Sequence, residues 1–201
     1  YPPTNPNFEA EEGQAPPLMV LAHGGPTGAA RTQLQLSVTY WTSRGFCVAD
    51  VNYRGSTGYG RTFRHRLWGN WGVLDVEDCL AVTQHLVDQG KANGDRLAIK
   101  GGSAGGFTVL AAVTFYDLFS AGASRYGVAD LAALAADTHK FEARYLDRLV
   151  GQWPEDEAVY AQRSPINHLD RLATPMLLLQ GSLDKIVPPN QAHLMAEGLR
   201  Q

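Results

Sequence analysis

A serine lies in a run of small residues between two apolar segments. The run Gly101–Gly106 reads GGSAGG; it follows a predicted strand, Leu97–Lys100, and precedes a predicted helix, Phe107–Tyr116. This G-x-S-x-G pattern is typical of a sharp strand-to-helix turn that presents the Ser103 hydroxyl as a nucleophile. The N–H of Ala104, at the helix start, could stabilise an oxyanion. The alternatives are an idle serine in a glycine turn and a phosphate loop, although the Gly-Lys-Ser/Thr ending of a Walker loop is absent.

A second glycine-rich loop follows the predicted strand Leu18–Ala22. Residues His23–Pro26 read HGGP, and the N–H of Gly24 or Gly25 could supply a second oxyanion donor, because glycine lets the backbone approach a reacting oxygen. The alternative is an ordinary glycine turn. His23 precedes the nucleophile, whereas the α/β-hydrolase order is Ser, acid, His, so we expect His23 to structure the loop rather than act as the base.

The candidate acid is Asp184, in a loop that directly follows the predicted strand Met176–Gln180. A carboxylate after a late strand can orient a catalytic imidazole and stabilise the imidazolium. The alternative is a plain surface aspartate. Asp156 and Asp170 lie outside any loop at the carboxyl end of a strand and are weaker candidates.

The catalytic base is harder to find. Only His193 follows Asp184, within a predicted helix, Gln191–Arg200, and we expect its side chain to point to solvent, off the apolar face. The other histidines precede Asp184 and are expected to be structural or exposed: His65, His85, His139 and His168. We therefore expect the base to lie outside this sequence.

Short apolar runs alternate with helical patterns along the chain, which predicts an α/β fold with a mostly parallel sheet and helices on both faces. A linker or lead-in is expected over residues 1–17, which hold several prolines. The remaining residues, 18–201, are expected to form one catalytic domain. The predicted strands are Leu18–Ala22, Phe46–Val51, Leu97–Lys100, Met176–Gln180 and, more weakly, Ser120–Ser124.

The helical segments carry their own start and stop signals. Ala29–Arg44 is predicted to be a helix that ends at Gly45, and a second helix is predicted to have Asp75 as its N-cap and Gly90 as its stop. A helical insertion is expected over residues 130–163, with an apolar face made by Phe141, Tyr145, Leu149 and Val150.

The composition of the chain argues against several classes of protein function. The chain has 201 residues and a formal net charge of −3, so no basic surface favours nucleic acid. No apolar run approaches the roughly 20 residues of a membrane-spanning helix. Cys47 and Cys79 lie in apolar segments and are expected to be buried, reduced thiols. No H-E-x-x-H or C-x-x-C pattern is present, so we expect no metal and no cofactor, in a cytoplasmic protein.

Four segments together resemble the catalytic domain of the prolyl oligopeptidase family of serine peptidases, in the branch of the acylaminoacyl peptidases and of dipeptidyl and other aminopeptidases. The resemblance covers nearly all of residues 18–201. The segments are His23–Pro26, Asn52–Gly60 (NYRGSTGYG), Gly101–Gly106 and Gln180–Pro188 (QGSLDKIVP).

This resemblance implies an α/β-hydrolase fold and a substrate-facing wall at Tyr53 and Arg54, although a purely structural role for that loop is an equal alternative. It also implies an N-terminal β-propeller domain, a C-terminal strand, a loop that carries the catalytic histidine, and a closing helix, all outside these residues. A homo-oligomer is compatible with the resemblance.

The function expected from the residues and the resemblance is a serine peptidase that hydrolyses short peptides near the N-terminus through an acyl-enzyme on Ser103. Phe107 and Tyr126 are expected to contribute to an apolar S1 wall. The alternatives are a carboxylesterase of the same fold and a non-catalytic fragment or interaction module. Without a base, the chain itself is expected to be inactive.

Overall fold

The computed structural model describes residues 1–136 and 144–200 of the chain. A 5-stranded sheet in the order β2-β1-β3-β4-β5 forms its centre, and all neighbouring strands are parallel. The sheet confirms the α/β class and all five predicted strands. The strands are β1 (Leu18–Ala22), β2 (Cys47–Val51), β3 (Leu97–Gly102), β4 (Ala121–Arg125) and β5 (Met176–Leu179).

Helices cover both faces of the sheet, as predicted. On one face, Leu18, Val20 and Ile99 pack against α3 and α4 in the main core, while on the other Met19 and Val48 pack against α1. The described helices are α1 (Leu36–Thr42), α2 (Arg61–His65), α3 (Leu74–Asp88), α4 (Ala104–Phe115), α5 (Leu131–Ala136), α6 (Tyr145–Leu149), α7 (Glu157–Arg163) and α8 (Asn190–Gly198). Within these ranges, no helix has the length and apolar character needed to cross a membrane.

Helix α4 is the central element of the fold, because the side chains from Ala104 to Thr114 are all buried. It lies between α3 and the 3-10 helical segment Pro165–Arg171 and packs on β3 and β4. A helix that is apolar all round belongs in a core rather than at a surface. Its N-terminus, directly after β3, is therefore held in place from several sides.

Strand β5 is the least protected strand of the described sheet. It pairs only with β4, and Leu177 and Leu179 are 55% and 46% exposed. Met176 and Leu178 point the other way and pack against α8 and α4. Part of one sheet face is therefore apolar and exposed.

Helix α1 is shorter than the predicted helix over Ala29–Arg44, since it begins at Leu36. The Ala30 N–H donates to the Asn52 side chain at 2.8 Å, and the Gln35 side chain donates to Asp50 at 3.1 Å. These tertiary hydrogen bonds, which local sequence does not reveal, hold the segment before Leu36 in a non-helical conformation.

Helix α3 corrects a second prediction. The helix begins at Leu74, and Asp75 lies inside the first turn instead of capping it. Its carboxylate bonds to groups of other elements, as described below. The predicted stop is confirmed, because Gly90 follows the helix at a φ of +66°.

The segments expected to be a helical insertion and a lead-in differ in their local structure. Within the described part of the segment between β4 and β5 lie three helices, α5, α6 and α7. Leu149 and Val150 are buried there, Tyr145 is half-buried, and Phe141 lies outside the described residues. Residues 1–17 form no helix or strand, but Tyr1 and Val48 exchange two backbone hydrogen bonds. Cys47 and Cys79 are both buried and free.

Candidate active site

Ser103 lies on the predicted turn between β3 and α4. Its backbone has φ 55° and ψ −125°, a conformation that costs a non-glycine residue free energy and that is found mainly at functional sites. The Ser103 N–H donates to the Arg125 carbonyl at 3.0 Å, and the Ser103 carbonyl accepts from Phe107 N–H at 3.1 Å. A Cβ on Gly101 would overlap the Gly105 carbonyl. The small residues beside Ser103 are therefore required by the turn itself.

The Gly24 loop lies against this turn. A Cβ on Gly24 would be 3.2 Å from the Gly102 carbonyl oxygen and 3.6 Å from the Ser103 Cβ. Gly25 has a φ of +135°, a conformation that favours glycine. The structure therefore brings together the predicted nucleophile and the loop predicted to carry the second oxyanion donor.

His23 supports this loop. Its Nδ1 lies 2.8 Å from the Gly24 carbonyl oxygen, which can only accept, so Nδ1 donates. Its Nε2 lies 2.7 Å from the Ser56 hydroxyl, and its ring stacks on Tyr53 with centroids 4.1 Å apart. Burial lowers the pKa of His23, which favours the neutral ring. With both ring nitrogens bonded, His23 structures the loop.

Tyr53 lies beneath the same loop and not at the surface of the site. Its side chain is fully buried, and its hydroxyl donates to the His23 carbonyl at 2.8 Å. Burial raises its pKa well above the ordinary value. Arg54 is equally engaged, with an ion pair to Asp78 at 2.7 Å and another to Glu77 at 3.0 Å. Tyr53 and Arg54 therefore support the loop, which is the structural alternative considered for this segment.

A small cavity of about 40 Å³ opens beside Ser103 and Ala104. Gly25 and Pro26 form one side of it. Phe107, which we expected in the wall, is fully buried and packs behind Trp71 with ring centroids 4.6 Å apart. Side chains from five separate segments, mostly apolar, form the rest of the lining: Trp71, Val128, Leu134, Tyr145, Leu146, Ile186 and Val187.

The lining includes residues that sequence analysis did not identify. Trp71 lies in a turn before α3, and no local pattern marks it as part of the site. Ile186 and Val187, in contrast, directly follow Asp184 in a segment that the resemblance had singled out. Tyr126 is partly exposed, has a φ of +40°, and packs its ring over Gly102, next to the nucleophile.

Asp184 lies in the loop after β5 and organises it. Its Oδ1 accepts from Ile186 N–H at 2.9 Å and from Val187 N–H at 3.0 Å. Both donors belong to residues of the cavity lining, so the predicted acid is in a segment that borders the site. These bonds use one carboxylate oxygen.

No histidine is found among the described residues of the cavity lining. His193 is exposed on α8, as predicted. His168 bonds to the Gln162 carbonyl at 3.0 Å, and His65 stacks on Trp68. His139 lies outside the described residues. Nor does any group of three or more His, Cys, Asp or Glu within residues 1–136 and 144–200 form a metal site.

A parallel sheet whose central strand ends in a strained serine turn at the start of a buried helix defines the α/β-hydrolase fold. Residues 32–201 match the prolyl oligopeptidase family, and the chain belongs to that family. The resemblance found in the four sequence segments is therefore confirmed.

Known proteins show the same relationship. The chain is 33% identical to the acylamino-acid-releasing enzyme of Arabidopsis thaliana, over 95% of its own length and 26% of that protein. It superposes on a puromycin-hydrolyzing peptidase of Mycobacterium tuberculosis with a TM-score of 0.97 and 54% identity, covering 99% of the chain and 30% of that structure. An acylaminoacyl peptidase of Pyrococcus horikoshii gives a TM-score of 0.89 and 28% identity, with 99% and 32% covered. The chain thus spans about a third or less of these proteins.

Proposed function

We propose that the chain carries the nucleophile and the acid of a serine peptidase that hydrolyses short peptides near their N-terminus. The observation that carries this proposal is the position of Ser103, on a strained turn between the Gly24 loop and the segment after Asp184. Family membership supports the peptidase class, and the geometry supports Ser103 as its nucleophile.

The proposed reaction uses Ser103 Oγ to attack the scissile carbonyl carbon. The N–H of Ala104 and that of Gly24 or Gly25 stabilise the negative charge that develops on the carbonyl oxygen. When the C–N bond breaks, the amine leaves with the proton taken from Ser103, and an ester to Ser103 remains. Water then hydrolyses this acyl-enzyme and restores the hydroxyl.

Asp184 is proposed to orient the imidazole that transfers these protons. Its Oδ1 is held by two backbone N–H groups, which leaves Oδ2 as the acceptor for a histidine Nδ1–H. Since no histidine is described in the cavity lining, we propose that the base comes from a residue outside the described ranges. Tyr53 takes part only indirectly, by holding the carbonyl of His23.

The cavity favours a peptide with an apolar side chain next to the scissile bond. Its lining is apolar apart from Ser103, the tyrosine hydroxyl of Tyr145 and the Trp71 indole, and its volume of about 40 Å³ is small. The names of the relatives suggest the substrates to test: peptides whose N-terminal amino acid is acylated, and puromycin. We propose that this chain's protein acts on one of these classes.

The test uses the protein at the full length of its coding sequence, treated with a fluorophosphonate and assayed with an N-acyl-aminoacyl amide, a free aminoacyl amide and puromycin. Labelling at Ser103 and cleavage of at least one amide are expected. Ser103→Ala should abolish both, whereas Ser120→Ala, at an exposed serine directly before β4, should change neither.

Each other outcome has a defined meaning. An N-acyl-aminoacyl ester is assayed beside the amides, and its hydrolysis with no cleavage of any amide would replace the peptidase with a carboxylesterase. No labelling of Ser103 would replace the enzyme with a protein that only binds or assembles.

A further inference from the structure

Asp75 is a fully buried carboxyl group in the first turn of α3, four residues after Trp71, which lines the cavity. Such groups are rarely fully buried unless they are paired. Its Oδ1 accepts from the Gly72 N–H at 2.7 Å, and its Oδ2 accepts from the Thr108 hydroxyl at 2.5 Å. One carboxyl group therefore joins the turn before α3 to the middle of α4.

Both groups that donate to Asp75 belong to segments that border the Ser103 site. Gly72 follows Trp71, which lines the cavity. Thr108 lies one helical turn beyond Ala104, and its hydroxyl is also 3.2 Å from the Ala104 carbonyl. The turn is fixed from its other side by Arg163, which donates to the carbonyls of Trp71 and Gly69 at 3.2 and 3.0 Å.

We propose that Asp75 is a positioning residue for the reaction of Ser103: its buried carboxylate fixes the Trp71 wall and the first turn of α4 relative to each other. This inference rests on the proposed function. Asp75 does not touch the substrate; it acts through Thr108 on the helix that presents Ser103 and the Ala104 N–H.

The Thr108 hydroxyl has one proton and two acceptors within reach. With Asp75 ionised, that proton points to Oδ2. With Asp75 protonated, the carboxyl group donates to Thr108 Oγ1, and the Thr108 proton turns to the Ala104 carbonyl, in the first turn of the nucleophile helix. The protonation state of Asp75 therefore changes the hydrogen bonding of Ala104, whose N–H is a proposed oxyanion donor.

Asp75 gains or loses its proton within the pH range of an enzyme assay, because burial raises its pKa from 3.8 to about 6. The titratable and charged groups that face it are Arg163 from α7, Tyr53 from the loop after β2 and Cys79 from α3. Burial raises the pKa of Tyr53 and of Cys79 well above their ordinary values, so neither titrates near pH 6.

The experiment measures kcat, KM and the rate of fluorophosphonate labelling between about pH 5 and pH 8 in the protein at the full length of its coding sequence. The variants are Asp75→Asn, Thr108→Val and Thr108→Ser, and Asp88→Asn serves as the matched control because it is the same change on an exposed part of α3. Asp75→Asn keeps the acceptor for Gly72 but donates to Thr108 at every pH, so it imitates the protonated carboxyl group.

At the alkaline end, kcat of Asp75→Asn should fall by about tenfold to a hundredfold, since small misplacements of reacting groups cost that much, with KM nearly unchanged. The ratio of wild-type to variant rates should shrink toward unity as pH falls through about 6, where the wild type itself is protonated. This ratio cancels the titration of the base, which both proteins share. Thr108→Val should behave like Asp75→Asn, and Thr108→Ser like the wild type.

The outcomes separate the two proposals. Labelling at Ser103 with a rate ratio that stays constant across the pH range would overturn the role of Asp75 and leave the peptidase intact. A loss of rate in Asp88→Asn equal to that in Asp75→Asn would overturn it too. No labelling of the wild type would overturn both, because there would be no reaction for Asp75 to serve. If Asp75→Asn does not fold, the ratio of wild-type to Thr108→Val rates across the same pH range tests the role of Asp75 instead.

Discussion

The Asp75 carboxyl group makes the free energy of unfolding depend on pH. Its pKa is about 6 in the folded chain against 3.8 as the ordinary value, so the folded state binds the proton more tightly. Stability from this group is therefore fully present below about 3.8 and is lost as pH rises through about 6. The loss corresponds to about 3 kcal/mol at about 1.4 kcal/mol per pKa unit.

Urea unfolding of the wild type and of Asp75→Asn, at about pH 4 and about pH 7.5, tests this dependence. The wild type should lose about 2 kcal/mol relative to the variant over that interval, since part of the loss already occurs below pH 4. Parallel pH dependence in the two proteins would show that Asp75 ionises in the folded chain as it does in water. Functional sites often hold charged or strained groups at a cost in stability, and a buried, ionised Asp75 would be such a group.

The Tyr53 hydroxyl offers a second test at a single residue. Tyr53→Phe removes the donor to the His23 carbonyl and should lower the free energy of unfolding by about 1 to 2 kcal/mol, because a buried acceptor loses its bond. It should also slow the labelling of Ser103, since the Gly24 loop loses a support. Tyr116→Phe, at an exposed tyrosine, is the control for urea unfolding. Equal effects of the two changes would contradict the supporting role.

At the scale of elements, the contact between β1 and α4 sets the geometry of the site. A Cβ on Gly105 would overlap the Ala22 carbonyl and lie 2.7 Å from the His23 carbonyl oxygen. Gly105→Ala should therefore destabilise the chain by about 3 kcal/mol, although alanine normally favours a helix by about 1 kcal/mol over glycine. Gly181→Ala, whose Cβ would meet nothing closer than 4.0 Å, should change stability by less than about 0.5 kcal/mol. Thermal or urea unfolding of both variants measures the difference.

The sequence predicts elements better than their contacts. Four of the five strands are visible as short apolar runs, the fifth (β4) only weakly, and the elbow around Ser103 follows from its small residues, because these signals are local. The start of α1 and the role of Asp75 could not be predicted, since they depend on Asn52, Asp50 and Thr108, which are distant in the chain. For the same reason Trp71 was missed, and Phe107 was expected in a wall that it only supports from behind.

Strand β5 is the part of the described chain most expected to cause self-association. An exposed apolar strand with one unpaired edge tends to pair with another chain, so residues 1–201 expressed alone should self-associate as concentration rises. Replacing both Leu177 and Leu179 by lysine should reduce this association. Leu183→Lys, at an exposed leucine in the following loop, should not. Light scattering coupled to size-exclusion chromatography measures the effect, and unchanged association of the double variant would contradict it.

At the scale of the whole molecule, the described cavity brings the proposed nucleophile Ser103 together with the two proposed oxyanion donors, at Ala104 and in the Gly24 loop, and with the segment after the proposed acid Asp184, but its described lining holds no histidine. A serine hydroxyl without a base stays protonated near neutral pH. Loss of a triad member leaves only about 10³ to 10⁴-fold catalysis over water. Residues 1–201 on their own should therefore cleave an aminoacyl or N-acyl-aminoacyl chromogenic amide very slowly.

The comparison is between residues 1–201 and the protein at the full length of its coding sequence, with Ser103→Ala in each as the background. The longer protein should turn over the amide and the shorter one should stay near its Ser103→Ala background, because we propose that the histidine partner of Asp184 Oδ2 belongs to the longer chain. Urea unfolding of the short chain, whose buried α4 should still give a cooperative transition, verifies that a low rate is not simply loss of folding. Equal turnover by both would place the base within residues 1–201. His193→Ala would then be the first variant to make, and its position on the exposed side of α8 would have to change for it to reach Ser103.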